Sequence, residues 1–170
     1  HGGQREALTY VAVAAVLAGV VAFIVGIFTG PLGAIIALVG ALVAPLLSFF
    51  IFAFVVNWMG KRQGGTGTQD EVFYTCALYT APILAITGVV GNIPLLNCVF
   101  APISLILGLY QIYLGYLATR ASMNLDQNKA IITVVVAIIA QWIVFAVIGG
   151  IIAAIAVGMG VASGSIQLQQ

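Results

Sequence analysis

The sequence predicts an all-α fold: a polytopic integral membrane bundle with five transmembrane helices. Three observations predict it. Of the 170 residues, 63% are hydrophobic and 5% charged, whereas a soluble domain carries roughly 25% charged residues. Between the charges lie apolar runs long enough for a bilayer, which takes about 20 residues per helical crossing. The runs show no alternation of apolar and polar residues. Backbone groups in hydrocarbon must pair within their own segment, so these runs are helices rather than barrel strands. Soluble globular and disordered classes are excluded by the same composition, with a mean hydropathy of +1.23.

The first span, 8–28, is longer than the roughly 7–15 apolar residues of a signal-peptide core and reads as a retained helix. The chain starts at His1 rather than Met, which reads as a processed or incomplete chain with an N-terminal part missing. The second span, 32–59, contains Pro45, which removes one backbone hydrogen bond and is expected to kink it. Span three, 72–90, is announced by Thr68-Gln69-Asp70-Glu71, a Thr-x-x-Glu capping box with both carboxylates in the first turn. Span four is 95–119, and Pro82 and Pro102 should kink spans three and four. Span five, 130–161, has 32 residues, or about 48 Å of helix against a core of about 30 Å. It must tilt, break near Gly149-Gly150, or project outward, and Asp126 is placed to cap it. The short links at 29–31 and 91–94 make antiparallel hairpins of spans one and two and of spans three and four. All five spans read as one membrane domain, 1–170.

Five crossings place the N-terminal segment, the 60–71 link and the 120–129 link on one side. Arg5, Glu6, Lys61, Arg62, Asp70, Glu71, Arg120, Asp126 and Lys129, all nine charges, lie in those segments. The positive-inside rule makes that side cytoplasmic, with the C-terminus outside. Lys61 and Arg62 beside Trp58 are head-group contact candidates. The Gly64-Gly65-Thr66-Gly67-Thr68 stretch lacks the Lys-Ser/Thr ending of a phosphate loop and follows no strand, so it reads as a flexible link between hairpins.

The same scarcity of charge excludes classes of chemistry. Pumps, voltage sensors and coupled transporters need ionisable groups inside the membrane, and the spans contain none. A net charge of +1 gives no basic footprint for nucleic acid. The one histidine is the first residue, so Ser/His/Asp and Cys/His arrangements and metal sets are absent and no enzyme activity or cofactor is expected. Cys76 and Cys98 should lie on the order of 20 Å apart, beyond the reach of a disulfide, as buried and inert thiols. What the spans do offer is small residues at every fourth position: Ala14, Ala18, Ala22, Gly26 and Gly30 in span one, and Ala146, Gly150, Ala154, Gly158 and Ala162 in span five. Such ridges let helix backbones approach closely. They pack either inside the chain or against another membrane-protein subunit or a second copy. Gln111 and Gln141 lie deep in spans four and five and are expected to meet in a hydrogen bond across the helices.

From Lys61 to about Gly150 the chain resembles the membrane domain of the Ypt-interacting-protein (YIP) family, prokaryotic type. Gly65-Thr66-Gly67-Thr68 is similar to that family's entry to its third span. Ala77-Leu78-Tyr79-Thr80-Ala81-Pro82, Ile93-Pro94, the 105–115 run closing in Leu114-Gly115-Tyr116-Leu117, and Lys129-Ala130 follow in order. The Asp-Leu-Tyr-Gly-Pro motif of eukaryotic members is absent, so GTPase binding is not carried over. The resemblance implies a non-enzymatic protein of the prokaryotic plasma membrane. The leading expectation is a scaffold or accessory subunit acting through helix contacts, with the lipid bilayer and other subunits as partners. A passive channel, or a lipid or small-solute carrier, lined by Gln111, Gln141, Tyr79, Tyr110 and Tyr113 is the second expectation, and a membrane-shaping or trafficking factor the third.

Overall fold

The computed structural model describes residues 3–162, with the side chains of residues 94, 97, 152, 153 and 155–162 outside the described set. Among the described residues the architecture is α1 (Gln4–Gly26), a 3-10 turn (Ile27–Thr29), α2 (Pro31–Arg62), α3 (Gln69–Gly91), α4 (Pro94–Met123) and α5 (Gln127–Ala162). All five α-helices are long and apolar enough to cross a membrane. They overrun the expected spans at their charged ends, because polar interfacial residues such as Lys61, Arg62 and Arg120 continue the same backbone hydrogen-bond ladder. Pro45, Pro82 and Pro102 all lie inside continuous helices. α5 also runs unbroken through Gly149-Gly150. Its 36 residues give about 54 Å of helix, so excess length is taken up without a break.

Each hairpin closes on a local device. Gly30, at φ 107°, occupies a backbone region that L side chains rarely adopt, and Pro31 starts α2 in the first helical position. Gly30 is therefore a turn residue outside the helix and does not extend the span-one ridge. The capping box forms as expected: the Glu71 N–H donates to Thr68 Oγ1 at 3.3 Å and the Thr68 N–H donates to Glu71 Oε2 at 2.8 Å. α4 ends at Asn124, which takes a left-handed conformation at φ 51°. The Asn124 and Leu125 N–H groups both return to the Arg120 carbonyl.

The core sits at the charged end of the bundle. Ala7 and Val11 of α1 pack there with Phe49, Ala53 and Val56 of α2, Val72, Phe73, Cys76 and Ala77 of α3, Met123 and Leu125 after α4, and Ala130 and Ala137 of α5. Phe73 takes the rings of Phe49 and Phe50 edge to face at 5.8 and 5.5 Å, each such pair adding roughly 0.5–1.5 kcal/mol to area burial. Towards the other end α1, α2 and α3 stay in close contact. Gly26 touches the Ala34 backbone, where a Cβ would stand 2.7 Å from Ala34 Cα, and Gly88 admits Ala18. Among the described residues of α4 before Gly115, and of α5 after Ala137, none is buried.

The glycine-rich segment is not the flexible link expected from its composition. Its backbone is seated on the end of α4. The Thr66 N–H donates to the Met123 carbonyl at 3.1 Å, the Gly65 N–H to the Gly60 carbonyl at 2.9 Å, and Asn124 Nδ2 to Thr66 Oγ1 at 3.1 Å. A Cβ on Gly65 would stand 2.9 Å from the Gly60 oxygen, and one on Gly67 would overlap the Ser122 carbonyl. The glycines are there for contact, which composition alone reads as freedom. Gly67→Ala should therefore lower the unfolding free energy by about 2 kcal/mol, the scale of overpacking against fixed backbone. Gly40→Ala, where a Cβ meets open space, should be neutral or stabilising. Thermal unfolding in detergent, followed by circular dichroism, distinguishes the two.

Candidate functional site

The two small-residue ridges have opposite fates. In α1, Ala14, Ala18, Ala22 and Gly26 are buried against α2 and α3, so this ridge serves packing inside the chain. In α5, Ala146, Gly150 and Ala154 are exposed, and the surroundings of Gly158 and Ala162 lie outside the described residues. The ridges share a period, and a period names a helix face but not the neighbour that covers it.

Above the core, α2, α3, α4 and α5 line an open-sided cavity of about 580 Å³. Gln111 and Gln141 both line it. They do not pair as expected. Gln141 Nε2 donates instead to Ser48 Oγ of α2, because Ser48 stands across the α2–α5 contact from Gln141 while Gln111 reaches the cavity from α4. Thr87 and Ser104 donate back to carbonyls of their own helices, Ile83 and Ala101.

Tyr79 lines the cavity, whereas Tyr110 and Tyr113 do not. These two flank Gln111 on α4 and are exposed, because a helix that turns Gly108, Gln111 and Ile112 inward turns their neighbours out. Gly115, one turn further, brings α4 against the core, where a Cβ would stand 3.2 Å from both Phe52 Cζ and the Tyr79 hydroxyl. Sequence reasoning missed Ser48, Thr80, Phe145 and Trp142 as cavity residues. The signal was present: Ile138, Gln141, Trp142 and Phe145 stand at i, i+3, i+4 and i+7, and Gly108, Gln111 and Ile112 at i, i+3 and i+4.

All nine charged side chains are exposed, and the contacts between the helix ends that carry them place them together at the core end. Lys61 and Arg62 form the last turn of α2, where positive charge complements the helix dipole. Arg62 stacks over the Trp58 ring at 4.1 Å, a cation–π contact between two interfacial residues. Both thiols are free; Cys76 is buried as expected, but Cys98, in the first turns of α4, is exposed. Among the described residues no group of three or more His, Cys, Asp or Glu stands together for a metal.

A protein-family model described as the Yip1 domain matches residues 2–149, a range that takes in the glycine turn and the whole cavity lining. No curated protein and no solved structure matches the sequence. The Gln141–Ser48 bond predicts a measurable coupling. In a double-mutant cycle of Gln141→Leu and Ser48→Ala, unfolding in detergent should give an interaction energy of about 0.6 kcal/mol, the average for such bonds between membrane helices.

Proposed function

The chain belongs to the Yip1 domain family, and on that premise we propose that it is a non-enzymatic scaffold or accessory subunit that works through helix–helix contacts. The observation that carries this is the exposed small-residue ridge of α5, at Ala146, Gly150 and Ala154. Lipid tails gain nothing from a flat ridge of this kind, whereas a helix laid along it gains van der Waals contact through close backbone approach. The same pattern in α1 is filled by neighbouring helices of the chain itself. The partner is another membrane-protein subunit or a second copy of this chain.

The proposed setting is a prokaryotic plasma membrane, with the core end and its charges in the cytoplasm. All five Lys and Arg residues lie in the end segments gathered there, which supports the orientation through the positive-inside rule. Lys61, Arg62 and Trp58 then stand at the head-group level, where basic and aromatic side chains are favoured.

Native mass spectrometry of the protein extracted in mild detergent should show an oligomer or a heteromeric complex. Gly150→Leu, which blocks close approach on an exposed face, should dissociate it without lowering the unfolding temperature. A monomer without partners in wild-type extracts would count against the proposal. For orientation, Thr66→Cys and Asn124→Cys should react with a membrane-impermeant maleimide only from the cytoplasmic side, and Gly91→Cys only from outside, in a Cys76→Ala, Cys98→Ser background.

A further inference from the structure

We infer that the cavity between α2, α3, α4 and α5 is a binding site for an uncharged, hydroxyl-bearing lipid of the acylglycerol class, entered sideways from the bilayer. Its volume of about 580 Å³ lies within the range of roughly 300–1,000 Å³ typical of small-molecule sites. The lining is divided by chemistry. Phe49, Phe52, Ile138 and Phe145 supply apolar walls that suit an acyl chain, and Gln111, Thr80 and Tyr79 bring polar groups into the same space.

Gln141 Nε2 donates to Ser48 Oγ, whereas no side-chain hydrogen bond engages Gln111 among the described residues. A carboxamide both donates and accepts, which matches a hydroxyl that does the same. Gln111 stands twelve residues before the last residue of α4, about 18 Å along the helix and so near the middle of a core of about 30 Å.

Depth and charge together select the class. The lining includes no Asp, Glu, Lys, Arg or His, and every charged side chain lies near the core end of a helix. A phosphate head group drawn to this depth would find no counter-charge, whereas an uncharged hydroxyl needs only one hydrogen-bond partner. Access is from the side, because Gly108 and Ile112 of α4 and Trp142 and Ala146 of α5 line the cavity and are themselves exposed. A lipid already in the membrane reaches the site without crossing the head-group layer.

The test uses the full chain reconstituted in phosphatidylcholine vesicles with either of two photoactivatable probes, a diazirine-bearing diacylglycerol or a phosphatidylcholine carrying the same diazirine chain. The diacylglycerol probe should label peptides containing residues 108–112 and 138–146 in preference to the phosphatidylcholine probe, and unlabelled diacylglycerol should compete. Gln111→Leu should weaken that labelling by about fivefold, the effect of one lost hydrogen bond. Gly108→Leu serves as the second variant: a Cβ there meets nothing within 4 Å, so the side chain enters the cavity without disturbing the fold and should abolish labelling. Equal labelling by the two probes, no labelling by either, or labelling unchanged in both variants would overturn the assignment.

Discussion

Backbone rests directly on backbone where the glycine turn meets the end of α4, and the rest of the bundle is arranged around that contact. Gly65 and Gly67 let the 64–68 segment lie against Gly60, Ser122 and Met123 with no side chain between. The Thr66–Met123 and Asn124–Thr66 hydrogen bonds close it. The segment leads from α2 into α3, and Met123 leads from α4 towards α5, so one small contact fixes four helix ends. The densest packing, centred on Phe73, lies just beside it. Further along, α4 and α5 bury none of their described residues, and the space between them and α2 and α3 is the cavity. Tight closure at one end thus permits an open site towards the other.

Much of this was legible in the sequence because the bilayer imposes few alternatives. Apolar length fixed the number of helices, and Thr68 and Glu71 marked the start of α3 because a capping box needs only two side chains at a fixed spacing. Other features resisted because the signal is shared by two opposite structures. Glycine permits both a loose link and a close approach, and nothing local to 64–68 says that the end of α4 fills the space where side chains would be. Small residues at every fourth position describe α1 and α5 equally, yet one ridge is covered and the other is not. Gln111 and Gln141 line one cavity, but the partner of Gln141 is a serine on a third helix. Pairing across helices depends on rotation of each helix about its axis, which depth along the chain does not encode.

The cavity is polar without carrying a charged side chain. Gln141, Ser48, Gln111 and Thr80 offer hydrogen-bonding groups, none of which ionises at neutral pH. Such a set discriminates by whether a guest completes the hydrogen bonding, not by charge, and buried groups left unpaired penalise a guest that lacks the matching hydroxyl. The exposed ridge on α5 lies beside the same region, with Ala146 common to both. Occupancy of the cavity and contact along α5 therefore involve one stretch of helix.

The gathering of every charge at one end also bears on how the chain enters a membrane. Moving one elementary charge through a potential of 100 mV takes about 2.3 kcal/mol. The Ile27–Thr29 turn with Gly30, and the bend between α3 and α4, hold no charged side chain. Each hairpin can be pushed through as a pair without doing electrical work on a side chain. Passage of the hairpin tip is then driven by hydrophobicity while the flanking Lys and Arg residues stay behind and set the orientation, so a collapse of the membrane potential would not make the tips harder to translocate.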